Sequence, residues 1–319
     1  MLNNRLTFEL DYFQNLRSKI LMTSDATTPA SAGFNLPPEN LGKVKNKGFE
    51  FTVGYNNSIG DLRYNVSING GYSKNKIIKL PETPGLMPWQ LSKGHTFGTN
   101  GPAFLVYEYA GVFVDQADIN KNTIDYSAAT PKLSPGDMKI KDYDGNGKIN
   151  ADDRVRLDKN RDPWFTGGIN IGLQYKNFDC SILFQGATGG LLFFGTESGD
   201  IGNFLKYSFD HRWSVDNPST VDPRLANRGN TYYAGGAFGT NTYWLRSSNY
   251  LRLKNFEIGY NIPSQLLTKY GVGSFRIYAN GINLFTMDKM KIWDPESTSG
   301  NGQYYPQSRI LNFGARVTF

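Results

Sequence analysis

The chain has 319 residues, 39% of them hydrophobic and 14% aromatic, which is enough to bury one large or two ordinary cores and excludes disorder or a mini-protein. Its 34 basic and 28 acidic residues leave a formal charge of +6; this charge is spread along the chain with no basic stripe or recognition motif, which argues against nucleic acid as a partner. Mean hydropathy is negative and no apolar run reaches about 18 residues, so a helical membrane span is excluded, whereas a membrane β-barrel needs only about 9 to 11 alternating residues per strand and stays open.

The N-terminus, MLNNRLTFELDYF, lacks the basic, apolar and small-residue segments of a secretory signal, which leaves either a cytoplasmic protein or a piece of a longer chain. Alternation begins there, because successive side chains of a strand point to opposite faces. Leu6, Phe8, Leu10 and Tyr12 share one face, with Thr7, Glu9 and Asp11 on the other. Phe49, Phe51, Val53 and Tyr55 alternate with Glu50, Thr52 and Gly54. A short link at 56–61 then leads to Tyr64, Val66 and Ile68, which predicts a hairpin.

A long insertion over 75–162 follows, and it contains Asp142-Tyr-Asp144-Gly-Asn146-Gly147-Lys148-Ile149-Asn150-Ala-Asp-Asp153. Oxygen-bearing side chains stand at positions 1, 3, 5, 9 and 12 of a calcium-type loop, the glycine for the sharp turn is at position 6, and Lys148 offers its backbone carbonyl at position 7. The expected ligands are therefore Asp142, Asp144, Asn146, Lys148, Asn150 and Asp153, holding a structural Ca2+. Asp153 stands where Glu is usual, and the flanks Met138–Lys141 and Val155–Leu157 read as extended, so a paired-helix sensor is not expected. The alternative is a metal-free Asp/Gly/Asn turn.

The next hairpin joins Ile169, Ile171, Leu173 and Tyr175 through Lys176 and Asn177 to Phe178, Cys180, Ile182 and Phe184. Cys180 is the single cysteine, so no disulfide forms within the chain and no thiolate metal site exists. The link that follows carries Trp213, Tyr232, Tyr233 and Trp244. With Trp89, Trp293, Tyr304 and Tyr305 these are suited either to stacking on a sugar or peptide or to packing loops together. His95 and His211, the only histidines, stand without a nucleophile motif and read as polar loop residues.

Phe256, Ile258 and Tyr260 form a sixth strand. Leu251 and Leu253 are out of phase with it, which implies either a bulge near Lys254 and Asn255 or a rotated strand end. Phe275, Ile277 and Ala279 open a seventh, and Leu311, Phe313, Ala315, Val317 and Phe319 an eighth. Short links alternate with long ones, the asymmetry of outer-membrane barrels. Tyr55, Tyr64, Tyr175, Phe178, Tyr260, Phe275 and Phe319 flank the short-link side as an interfacial girdle would. The polar face, with Glu9, Glu50, Glu257, Arg276 and Arg316, then lines a lumen. The fold expected is all-β: an antiparallel transmembrane β-barrel segment of about eight strands with long extracellular loops.

Several runs resemble the C-terminal half of the SusC/RagA-type TonB-dependent transporters of the Bacteroidetes outer membrane. They are Val44-KNKGFEF-Thr52, Pro135-GDMKIKDYDGNGKINADDR-Val155, Asp162-PWFTGGINIGLQYKNFDCSILFQG-Ala187, Arg212-WSVDNP-Ser219, Tyr250-LRLKNFEIGYNIP-Ser264, Ile277-YANGINLFT-Met287, Asp294-PE-Ser297 and Tyr305-PQSRILNFGARVTF. The resemblance implies that residues 1–319 supply the last eight strands of a 22-stranded barrel in outer-membrane lipid, while the plug domain and the TonB box lie outside this chain. It implies import of oligosaccharides or peptides, a SusD-like lipoprotein as lid, and action of the TonB complex through the missing N-terminal region. It also implies recognition of Phe313, Ala315, Val317 and Phe319 by the barrel-assembly machinery. No enzymatic chemistry is expected. One competing reading is a small closed eight-stranded barrel serving as adhesin or anchor, for which the first strand would pair with the last. Another is a glycan hydrolase, for which the sequence offers no positioned acid pair.

Overall fold

A computed structural model describes residues 5–23, 36–197, 202–226, 230–231, 238–297, 300, 302–305 and 307–319. Eight strands form one antiparallel sheet: β1 (Leu6–Met22), β2 (Glu39–Ile59), β3 (Leu62–Lys79), β4 (Phe165–Tyr175), β5 (Phe178–Thr188), β6 (Tyr250–Asn261), β7 (Ser274–Asp288) and β8 (Ile310–Thr318). Their spatial order is their chain order, so every neighbour is reached by the simplest up-and-down connection. This is the expected wall. Among the described residues β1 and β8 do not pair with each other, which overturns the closed eight-stranded alternative: the sheet is open at both edges.

Register keeps the apolar set on one face. Leu6, Phe8, Leu10 and Tyr12 sit opposite Tyr55, Val53, Phe51 and Phe49, and Ile169 and Ile171 lie between Ile68 and Val66 on one side and Phe184 and Ile182 on the other. A slip of one residue would turn the whole set into the lumen.

Two boundaries differ from expectation. The 56–61 link shrinks to Gly60–Asp61, because Asn56, Asn57 and Ser58 continue the ladder opposite Asn65, Tyr64 and Arg63. Asn57 donates to the hydroxyls of both Tyr55 and Tyr64, so a residue type that ordinarily marks a turn is held within the strands. The phase change in β6 is a bulge: the register shifts between Leu253 and Asn255 against β7, and between Leu183 and Phe184 against the same stretch from β5.

The predicted 75–162 insertion begins inside β3, which runs to Lys79, so the connection proper is 80–164. It folds with the described residues of the 189–249 connection into one body. Tyr107, Phe113, Tyr126, Met138, Ile140, Ile149, Phe194, Tyr243 and Trp244 form its core. Short pairings knit it together: Leu105–Tyr107 with Arg154–Arg156, Tyr109–Val112 with Met138–Ile140, and Leu191–Phe193 with Leu245–Ser247. The main hydrophobic core therefore lies in the loops. The wall instead leaves its apolar face exposed, as a lipid-facing surface must.

Candidate functional site

The calcium-type loop is anchored before any ligand is considered. Ile149, at position 8, is fully buried and donates its N–H to the Asp125 carbonyl at 2.9 Å, while the Asp125 N–H donates to Gly147 O at 2.8 Å. Gly145 and Gly147 have φ of 76° and 79°, left-handed values that glycine adopts without steric cost. The turn brings carboxylate oxygens of Asp142, Asp144 and Asp153 within 4.8 Å of one another.

Backbone N–H groups hold each carboxylate. Asp142 accepts from Gly145 and Gly147, Asp144 from Asn146, and Asp153 from Tyr143 and Asn150. Burial raises the Asp153 carboxyl above its ordinary range. Asn146 lies beside Asp144, donating from Nδ2 at 2.8 Å, and its Oδ1 accepts from the Lys148 N–H.

Asn150 is engaged differently. Its Oδ1 caps the short turn Ala151–Asp153, accepting from the Asp152 N–H at 2.6 Å. The flanks are extended, as Met138–Ile140 and Arg154–Arg156. Trp89 covers the loop, its indole donating to Asp152 O at 2.8 Å and its ring 5.3 Å from that of Tyr143.

The other loop aromatics are mostly spent on packing. Trp244 is in the core, Trp213 donates to Val114 O, and Trp293 packs on Phe194. Tyr232 and Tyr233 lie outside the described residues. A cavity of about 940 Å³ does open over the upper, lumen-facing part of β7. Tyr207, His211, Trp293 and Tyr304 line it, with Thr286 and Asp288 from the strand. His211 stacks on Tyr207, and His95 lies 3.6 Å from Asp158.

Two charged clusters on the lumen face complete the picture. Low on the wall, Arg276 bonds Asp179, and its Nη2 reaches Glu257 Oε1 at 2.7 Å. Near the top, Arg252 is fully buried. It reaches Thr286, Gln307, Asp294 and Glu296 at 3.1, 2.6, 2.6 and 2.9 Å. The sequence signal for Arg252 was a basic residue at the inward phase of β6, followed much later by Asp294-Pro-Glu296. Neither half reveals the pair by itself. Phe313, Ala315, Val317 and Phe319 stand on the outward face of the unpartnered edge of β8, with Phe313 84% and Phe319 92% exposed.

No family model matches the chain. It is 31% identical over its whole length to TonB-dependent receptor P3 of Formosa agariphila and 23% identical to TonB-dependent receptor SusC of Bacteroides thetaiotaomicron, covering 33% and 30% of those proteins. A solved structure of the RagAB peptide transporter shares the fold, with a TM-score of 0.72 and 24% identity over 99% of this chain and 34% of that one. A further structure of the RagAB peptide importer, in its open-open state, gives 0.67 and 26%, covering 99% of this chain and 33% of that one. The chain thus spans about a third of the length of the curated relatives it matches. Those relatives are named as receptors, and the solved structures as a transporter or importer; none is named as an enzyme. The eight strands are the wall of an outer-membrane β-barrel. End to end, the chain is homologous to about one third of a TonB-dependent receptor of the SusC/RagA kind.

Proposed function

We propose that the chain supplies eight neighbouring strands, with the loops that crown them, of a TonB-dependent importer that takes up oligosaccharides or peptides across the outer membrane. In this reading a SusD-like lipoprotein covers the loops. The TonB complex acts through a region outside this chain, and the exposed face of Phe313, Ala315, Val317 and Phe319 is presented to the barrel-assembly machinery. The open sheet carries the reading. Unpaired backbone groups on β1 and β8 are costly in lipid unless further strands satisfy them. An eight-stranded piece with an apolar outer face is therefore a partner for more wall.

Growth tests the import reading. Deleting the gene for the full receptor should abolish growth on one class of oligosaccharide or oligopeptide, and inactivating TonB should give the same loss. Unchanged growth on every such nutrient would remove it. If residues 1–319 alone inserted as a closed barrel with β1 paired to β8, the small-barrel function would return.

We also infer that Asp142, Asp144 and Asp153, with Asn146 and the Lys148 carbonyl, hold Ca2+ as a structural clip. The support is that three carboxylates, hard oxygen donors, lie within 4.8 Å of one another on a turn already braced by backbone hydrogen bonds. Asn150 stands at position 9, which in such loops often reaches the ion through water, and its oxygen meanwhile caps the turn at the Asp152 N–H. When bound, the ion would neutralise three converging carboxylates and fix the loop body. Calorimetry on wild type and Asp144→Ala checks this; equal heats, or none in either, would refute it.

A further inference from the structure

The outward face of the wall carries lysines set directly against lysines. Lys45 pairs in register with Lys76, Lys47 with Lys74, and Lys43 with Lys79. Lys45 and Lys47 share the phase of Phe49, Phe51, Val53 and Tyr55, and Lys74 and Lys76 that of Tyr64, Val66, Ile68 and Tyr72. Like charges directly opposite destabilise a sheet, yet two such pairs follow one another here and a third stands just beyond a register shift at Lys43. Lys74 is met by Asp158 at 2.6 Å. Among the described residues, Lys43, Lys45, Lys47, Lys76 and Lys79 are in no ion pair. Among the described residues, Asp158 is thus the one carboxylate ion-paired with this ladder.

Height says where further anions would come from. Tyr55 and Tyr64 stand at the short-link girdle, and Lys47 and Lys45 follow eight and ten residues above Tyr55. At about 3.3 Å per residue and a tilt of about 40°, they lie roughly 20 to 25 Å higher, where an apolar band of about 25 Å ends. Lys74 and Lys76 lie ten and twelve residues above Tyr64, at the same level. Directly beneath runs the row Phe49, Tyr72, Phe165. Below that row, Gly167 on β4 lies between Gly70 on β3 and Gly186 on β5. Gly167 and Gly186 floor an apolar groove of about 530 Å³ walled by Phe51, Ile68, Phe184 and Leu251.

We propose that the lysine ladder of β2 and β3 binds the phosphorylated headgroup of an outer-leaflet lipid, one acyl chain of which lies in the groove beneath. The inference rests on the outer-membrane reading, which places hydrocarbon against this face and headgroups at the lysines. A headgroup phosphate between Lys45, Lys47 and Lys76 would turn repulsion between strands into attraction to a shared anion. The groove accounts for a lipid rather than a free anion, since acyl chain burial adds to the electrostatic attraction.

The test uses the full receptor, first confirmed in the outer-membrane fraction by its heat-modifiable migration; failure at that step refutes the membrane reading itself. Purified in detergent, wild type and Lys45→Gln/Lys47→Gln/Lys76→Gln are titrated with fluorescent diphosphorylated lipid A and with its dephosphorylated form. Lys74 is retained because its contact with Asp158 serves the fold. The variant should bind the phosphorylated lipid about tenfold more weakly or worse, and should lose wild type's preference for it. Lys269→Gln, on the short-link side, should bind as wild type does. Equal binding by wild type and triple variant would overturn the proposal. So would displacement of the lipid by low-millimolar inorganic phosphate, which would assign the lysines to a free anion.

Discussion

Arg252 and Asp294 are 42 positions apart in the chain and meet at 2.6 Å around a guanidinium that solvent does not reach. The arginine belongs to the rigid wall, and the aspartate to the connection between β7 and β8. With Glu296 and Gln307 on the same guanidinium, one buried cation ties three described positions of the final connection to the wall. Arg252→Ala would leave two partly exposed carboxylates without their cation, a loss below the roughly 3 to 5 kcal/mol of a fully buried pair. Amide exchange across 290–297 should then accelerate in the variant receptor. Arg252→Lys should restore only part of the protection, because an ammonium cannot match the guanidinium fork. Unchanged exchange in both would show that the loop docks by other contacts.

Tyr278 lies over Gly314 on the lumen face, so close that a Cβ at 314 would fall 2.4 Å from the ring. The ring covers a position with no side chain of its own, fastening β8 to β7, its one neighbour in the sheet among the described residues. Gly314→Val should expel the ring and destabilise the edge by about 1 to 3 kcal/mol, as overpacking does. The temperature at which the receptor's heat-modifiable band shifts should fall. A band that shifts at the wild-type temperature would mean the edge strand is held without this contact.

Period-two alternation revealed all eight wall strands because each has one face against lipid and one against water, so the pattern is imposed within the strand itself. Asn56, Asn57 and Ser58 were read as turn because their type favours turns; the hydroxyls of Tyr55 and Tyr64 that hold Asn57 come from the strands on either side. Likewise, nothing local marks Lys74 and Lys76 as strand, because there β3 has left the apolar band and no longer alternates. The loop body resisted reading for another reason: Tyr107 meets Phe238, and Phe194 meets Trp293, contacts that no periodicity encodes. The turn from Asp142 to Asp153 was legible since the Asp, Asn and Gly spacing of a tight turn is local. What the spacing did not show is that a helical turn begins at Asn150 and takes its oxygen as a cap.

Acid should loosen the loop body at Asp118. A hydrogen bond from the Lys139 ammonium, reinforced by the Val114 N–H, holds this carboxyl below its ordinary range. A folded-state value below the unfolded one contributes stability that is fully present above about pH 4 and is lost as pH falls through the depressed value. Trp213, which donates to Val114 O, reports on this spot. The fluorescence difference between the receptor and its Trp213→Phe variant should change below about pH 4, and Asp118→Asn should remove that change. A titration unaltered by Asp118→Asn would assign the acid sensitivity elsewhere.

The calcium-type loop carries its own optical reporter, because Trp89 stacks near Tyr143 and bonds the Asp152 carbonyl. Terbium, a luminescent substitute for Ca2+ with the same preference for hard oxygen ligands, should emit when Trp89 is excited and lose that emission when Ca2+ displaces it. Asp144→Ala removes a ligand without touching the brace that Asp153 makes to Tyr143 and Asn150, so the loop should stay folded while terbium binding weakens at least about tenfold. Asp153→Ala should do more: with both N–H groups deprived of a buried acceptor, the turn itself should open and residues 142–153 should become protease-sensitive, with or without metal. Trp89→Phe separates reporting from binding, since it should dim the emission while leaving the calorimetric affinity for Ca2+ close to that of wild type. If Asp144→Ala and wild type gave the same terbium signal, the three carboxylates would be only the brace of a metal-free turn.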